Sequence, residues 1–231
     1  MTDKSVYNDF NANQVVNRSL RGSIIVIEGL IGAGKSTLGK GLAEYLNRIG
    51  IKARFFPEFV NHDLLGLYIG DMEKYAFPFQ AIMVKERLAI YQKAAEYSAT
   101  GGISIIDRSL IGDLTFAKMQ KDKEFFTEKE WLTYNSLLKN DDNITPSILI
   151  YLECQPQKAF DRMKKRSHES EVDGYTLGYF EDLDKAYKET LNSEEVEEIL
   201  CSIDWNVDRK ITDKVCTEVL TKVRNFIFRA R

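Results

Sequence analysis

Ser23-Ile24-Ile25-Val26-Ile27-Glu28 runs directly into Gly29-Leu30-Ile31-Gly32-Ala33-Gly34-Lys35-Ser36-Thr37, and these residues decide the fold. The first six are apolar and β-branched almost to their end, as in a strand buried on both faces. The next nine carry two glycines five apart, followed by Lys and Ser, which is the pattern of a phosphate-binding loop between a strand and a helix. Glycines let backbone N–H groups wrap phosphate oxygens, and the helix that begins at Lys35 adds its positive end. Lys35 is placed to neutralise the β and γ phosphates. Ser36 is placed to hold Mg2+, with Thr37 as a neighbouring donor. The stretch points to binding of a nucleoside triphosphate.

Outward from this loop, further strands are expected at 51–56, 103–107, 147–153 and 199–204, with the first at 23–28. Helical patterns fall between them at 35–48, 77–98, 128–139 and 155–165. Gly50 and Gly101-Gly102 stand where helices should stop before strands. Strands alternating with helices imply an α/β fold, a five-stranded parallel sheet with helices on both faces. Residues 1–22 are polar and aperiodic and read as a flexible lead-in, leaving 23–231 as a single domain. The segment between the second and third strands is long for one crossover, so it should house substrate-binding elements over the carboxyl ends of the strands.

Composition narrows the functional classes. The 231 residues are 44% hydrophobic and 29% charged, with 32 Lys and Arg against 35 Asp and Glu, a net charge of −3. That balance gives no footprint for nonspecific nucleic-acid or anionic-membrane binding. The apolar runs are far shorter than the roughly 20 residues of a membrane helix, and the first residues are too polar for a signal peptide. Cys154, Cys201 and Cys216 lack metal-ligand spacing and cannot all pair. The expectation is a reduced, cytoplasmic protein that binds neither nucleic acid nor membrane. A GTPase would carry Asn-Lys-x-Asp after a later strand, which is missing here, and a motor ATPase needs more chain. A phosphoryl transferase with a small acceptor remains.

Several residues suit that chemistry. Glu58 leaves the end of the second strand beside the loop, where a carboxylate can accept a proton from an attacking hydroxyl. Gln80 and Arg87, seven apart, share a helix face. The Gln amide matches a nucleobase edge, Arg87 adds donors, and Asp113 can accept from an exocyclic amine. Phe79 and Phe116 can stack on a base or simply pack in the core. Asp107-Arg108-Ser109 ends an apolar strand, so Asp107 can meet the Mg2+ water shell or compete with Glu58 as the proton acceptor, and Arg108 can neutralise the transferred phosphoryl group. Glu58 is favoured as the base for its position. Arg162 and Arg166, four apart, share a helix face and suit phosphoryl oxygens.

Taken in order with the phosphate loop, Pro57-Glu58-Phe59-Val60, Phe77-Pro78-Phe79-Gln80 with Arg87, Asp107-Arg108-Ser109 with Asp113, and Arg162-Met163-Lys164-Lys165-Arg166 leading through Glu171 to Tyr179 resemble the deoxynucleoside kinase family. That family contains deoxycytidine, deoxyguanosine and deoxyadenosine kinases, and the resemblance spans roughly residues 23–210. It implies a P-loop kinase fold and ATP as donor with Mg2+. It also implies Glu58 as general base, and an arginine-rich lid from Arg162 and Arg166 over the donor phosphates. Arg87 with Asp113 goes with purine or cytosine bases rather than thymine, and Tyr68 with Glu171 is placed at the sugar 3′-hydroxyl. Phe59 stands where the family usually has Pro, and His168 where it often has Arg. The expected product is a deoxynucleoside 5′-monophosphate, made in nucleotide salvage by a homodimer. Two rivals stand beside this reading. One is a thymidylate kinase-like nucleoside monophosphate kinase, which would need arginines where Glu58 stands. The other is a noncatalytic nucleotide-dependent interaction module using the helices at 77–96 and 128–138.

Overall fold

The β-branched run 24–28 pairs on both sides, as its unbroken apolar character requires. In the computed structural model, which describes residues 20–138, 145–166 and 174–229, β1 (Ile24–Glu28) is buried along its whole length. It lies between β3 (Ile103–Asp107) and β4 (Ile148–Glu153). β2 (Ala53–Phe56) extends the sheet beyond β3, and β5 (Leu200–Asp204) extends it beyond β4. The order β2-β3-β1-β4-β5 is parallel throughout, so every carboxyl end points the same way. Ile27 stands opposite Asp107, and Glu28 opposite Tyr151. The residues that follow the strands therefore converge at one edge.

Helices cover both faces. Gly39 of α1 (Lys35–Arg48) approaches the Ile27 and Phe55 side chains. On the alternate face Ser104 of β3 accepts from Ser98 of α3 (Met72–Ala99) at 2.9 Å. The side-chain alternation of strands puts these two contacts on opposite sides. Leu20 is buried in the core, so the chain is already docked before β1, while residues 1–19 of the expected lead-in lie outside the described residues.

The long segment between β2 and β3 holds two helices rather than the one expected at 77–98. Asn61 caps α2 (His62–Gly70) by accepting from the Leu64 N–H at 3.0 Å, and Asp71 caps α3 by accepting from Lys74 N–H at 3.1 Å. Helix α3 thus starts before Pro78, which sits in its second turn instead of marking its start. β2 begins at Ala53, because the Ile51 N–H is taken by the Leu46 carbonyl in the turn that ends α1. Helix α4 (Leu110–Asp122), capped by Ser109, was not legible: it turns Asp113, Thr115 and Gln120 inward, which spoils an apolar stripe. The remaining elements are α5 (Glu128–Leu138), α6 (Pro156–Arg166), α7 (Leu177–Leu191), α8 (Glu194–Glu197) and α9 (Asp213–Arg229). The three cysteines are buried free thiols, and no helix among the described residues is long and apolar enough to cross a membrane.

Candidate active site

The loop after β1 follows directly from its glycines. Gly29, Gly32 and Gly34 all adopt positive φ. At Gly32 the demand is doubled, since a Cβ would fall 2.4 Å from the Ala159 carbonyl oxygen on α6. Lys35 opens α1 with its ammonium buried and donating to the Gly29 and Leu30 carbonyls at 3.1 and 2.9 Å. Burial, helped by nearby Arg108, lowers its pKa from 10.5 to about 8. Ser36 Oγ donates to Asp107 Oδ2 across the gap between the ends of β1 and β3. The other carboxylate oxygen, Asp107 Oδ1, is buried without a hydrogen-bond partner among the described residues. A hydroxyl and a half-satisfied carboxylate side by side fit a cation that keeps most of its own water, as Mg2+ does.

A cavity of about 360 Å³ opens beside this loop, a size suited to a small ligand. Lys35, Ser36 and Asp107 line it, as do Phe79, Gln80 and Met83 of α3. The same lining holds a largely buried charge cluster. Arg87 forms a two-pronged ion pair with Asp113, from Nε to Oδ2 at 2.8 Å and from Nη2 to Oδ1 at 2.9 Å. The same Nη2 donates to Glu58 Oε1 at 3.0 Å, and Nη1 reaches the Asp107 carbonyl at 3.3 Å. Arg108 Nε donates to that same Glu58 oxygen at 3.0 Å. Burial alone would raise the Glu58 pKa, but Arg108, Arg87 and Lys35 override it and hold the carboxyl at about 2. Arg108 itself has a φ of 67°, left-handed for a residue with a side chain, and its guanidinium lies 4.7 Å over the Phe116 ring.

Most of the expected site residues therefore meet: Lys35, Ser36, Glu58, Phe79, Gln80, Arg87, Asp107, Arg108, Asp113 and Phe116 all line the cavity, and Arg166 at the end of α6 joins them. Among the expected acceptor-side and lid residues, two are placed otherwise. Tyr68 is off the cavity wall: its hydroxyl accepts from Gln120 Nε2 at 2.8 Å and lies 3.2 Å from the Tyr179 hydroxyl, while its ring stacks on Phe79 at 4.8 Å. Arg162 is off the wall too, because the loop after β5 claims its guanidinium. It donates to the Trp205 and Val207 carbonyls and to Asp208, and reaches the Ala33 carbonyl at 3.4 Å. Glu171 and His168 lie outside the described residues. Sequence reading passed over Glu28, Tyr175 and Tyr187. Tyr175 lines the cavity. Glu28 is a fully buried carboxylate bound to Tyr187 and to the start of α4. A charged residue at the end of an otherwise apolar strand was the one visible signal for Glu28. Tyr187 sits in an ordinary helical pattern and gave none.

A phosphate-binding loop that faces an acceptor-sized cavity across the end of a parallel sheet defines a P-loop phosphotransferase. Comparison with known proteins narrows the class: the family model for deoxynucleoside kinase matches residues 25–228. The chain belongs to the deoxynucleoside kinase family. A deoxyadenosine kinase of Dictyostelium discoideum is 32% identical over 188 residues, 80% of this chain and 74% of that protein. A deoxyadenosine/deoxycytidine kinase of Bacillus subtilis is 32% identical over 174 residues, 73% of this chain and 76% of that protein. Among solved structures, deoxyadenosine kinase from M. mycoides with bound dCTP matches with a TM-score of 0.71 at 25% identity, over 86% of this chain and 98% of that one.

Proposed function

We propose that this enzyme transfers the γ-phosphoryl group of ATP to the 5′-hydroxyl of a deoxypurine nucleoside or deoxycytidine, in preference to thymidine, and serves nucleotide salvage. One observation carries the reading: Glu58 and the Arg87–Asp113 pair sit in one cavity wall, within reach of the phosphate loop. The 5′-oxygen attacks the γ-phosphorus, its proton passes to a Glu58 oxygen, and the bond to the β-phosphate oxygen breaks to release ADP. Lys35 holds the β and γ phosphates, while Arg108 neutralises charge on the moving phosphoryl group and orients Glu58. Ser36 and Asp107 would hold Mg2+, which would screen the phosphate charge. Gln80 and Asp113 read the base edge with Arg87, and Phe79 and Phe116 supply apolar faces to it. Arg166 approaches the phosphates from the lid side. The relatives' names, deoxyadenosine and deoxyadenosine/deoxycytidine kinase, support the choice of bases.

A carboxylate at Glu58 would repel an acceptor that already carries a phosphate, which argues against a nucleoside monophosphate kinase. The test is the initial rate of ADP formation with each of the four deoxynucleosides and their monophosphates. Turnover with deoxyadenosine, deoxyguanosine or deoxycytidine above thymidine supports the reading, and turnover restricted to monophosphates overturns it. The domain is taken as one unit from 23 to 231, acting in the cytoplasm as a homodimer. Exposed Ile82 on α3 and Leu132 and Leu137 on the neighbouring α5 supply the apolar surface for a second copy. Sedimentation at a monomer's rate at micromolar concentration would remove that part.

A further inference from the structure

Tyr187 lies on α7, in none of the motifs that mark the site, yet its hydroxyl joins two of the site's charges. Arg108 Nη1 donates to it at 2.5 Å, and it donates to Glu28 Oε2 at 2.8 Å. Arg108 and Glu28 approach each other directly only to 3.8 Å. The second Glu28 oxygen is saturated by Ser109 N–H at 2.5 Å, Ser109 Oγ at 2.6 Å and Gly112 N–H at 3.2 Å. Glu28 thus fixes the turn that forces Arg108 into its left-handed backbone, and the phenol fixes the far end of the Arg108 side chain. Burial holds the Tyr187 phenol well above its ordinary pKa, so it remains a hydrogen-bond donor.

We propose that Tyr187 is a positioning residue for Arg108: its phenol is the spacer that keeps the Arg108–Glu28 ion pair from closing and so aims the guanidinium at Glu58. The proposal rests on the roles given above to Arg108 and Glu58. Without the hydroxyl, Arg108 Nη1 loses an acceptor and Glu28 Oε2 loses its donor, both on buried side chains where an unmet polar group is costly. Arg108 Nη1 keeps its 3.4 Å bond to the Gly29 carbonyl and has Glu28 Oε2 3.8 Å away, so both of its remaining acceptors lie on the β1 side. Closing that gap draws the guanidinium toward β1 and lengthens its 3.0 Å bond to Glu58. The Tyr187 ring also packs on Phe116 and Tyr151, and a phenylalanine would keep those contacts. The hydroxyl, and not the ring, carries the effect.

The experiment compares wild type, Tyr187→Phe, Arg108→Lys and the double variant, with kcat and both KM values measured below the unfolding transitions read by circular dichroism. Tyr187→Phe should lower kcat about tenfold while KM for the deoxynucleoside stays within about twofold, since a misaimed group costs rate more than binding. In the Arg108→Lys background the same substitution should change kcat little, because its effect runs through the guanidinium already removed. A Tyr187→Phe enzyme with wild-type kcat, or one whose loss simply multiplies with that of Arg108→Lys, overturns the inference while leaving the catalytic reading intact. An Arg108→Lys enzyme with wild-type kcat removes the role of Arg108 itself, and this inference with it.

Discussion

Glu58 is a carboxylate shared by two guanidinium groups, and that sharing sets what each substitution should do. Glu58→Gln keeps the shape but removes the proposed proton acceptor, so kcat should fall by about 10² or more with ATP binding preserved. Activity within a few-fold of wild type would move the base to Asp107, and Asp107→Asn would become the informative variant. The pH profile gives an independent check. With its carboxyl held at about 2 rather than its ordinary 4.5, Glu58 stays ionised as pH falls through the usual glutamate range. The kcat/KM of wild type for the deoxynucleoside should therefore show no loss from Glu58 through pH 4.5. Removing Arg108, the strongest of the charges that lower it, lets burial act with less opposition and the pKa rises. An Arg108→Gln enzyme should then show an acid limb displaced to higher pH. Superimposable acid limbs in the two enzymes would show that Arg108 does not set the ionisation of Glu58.

At the scale of elements, two glycines on neighbouring helices make opposite demands. Gly112 lies in the first turn of α4, where a Cβ would stand 2.6 Å from Glu28 Oε1 and 2.7 Å from Arg108 Cγ. Gly112→Ala should cost about 1–3 kcal/mol, as overpacking does, and should lower kcat because Arg108 must move. Gly66 lies within α2 with open space around it. Gly66→Ala should stabilise the fold by about 0.5–1 kcal/mol through the entropy of the unfolded chain. Thermal melts of the two variants moving in the same direction would contradict this account. The contrast also shows what the sequence could reveal. The phosphate loop, the strand ends and Gln80 with Arg87 were legible because their spacing is local or set by one helix, whereas Asp113 meets Arg87 from a second helix 26 residues on. The helix starts at Asn61 and Asp71 were hidden by the weak periodicity of α2 and α3 and by Pro78 inside α3. The bond between Tyr187 and Arg108 joins residues 79 positions apart through the fold alone, and no motif records such a contact. Arg162 shares a helix face with Arg166, as their spacing requires, while the carbonyls of the loop after β5, which no local pattern brings to it, hold its side chain.

Across the whole molecule, Lys35, Glu58, Arg108 and Tyr187 come from four separate stretches of chain and meet only because all five strands point their carboxyl ends one way. The unfolded chain cannot reproduce that meeting, so ligands should bind the folded state alone and raise its melting temperature. At a hundredfold excess over Kd the stabilisation is about 2.7 kcal/mol. For a chain of this size that corresponds to a rise of about 5–10 °C. Two parts of the site should respond separately. Lys35→Ala removes the proposed partner of the β and γ phosphates, so the shift with Mg2+ and ATP should largely vanish, while the shift with a deoxypurine nucleoside or deoxycytidine survives. Replacing Arg87 and Asp113 together, by Met and Ala, should do the converse: the ATP shift is kept and the purine and cytosine shifts are lost. The pair must change together, because Arg87→Met alone would leave the Asp113 carboxylate buried without its ion-pair partner at a cost of about 3–5 kcal/mol. Thymidine should gain less than the other nucleosides lose, since opening apolar space for a methyl group is worth only about 1–3 kcal/mol. If the double variant kept its purine and cytosine shifts, Arg87 and Asp113 would be scaffold. If Lys35→Ala kept the full ATP shift, the donor would bind somewhere other than this loop.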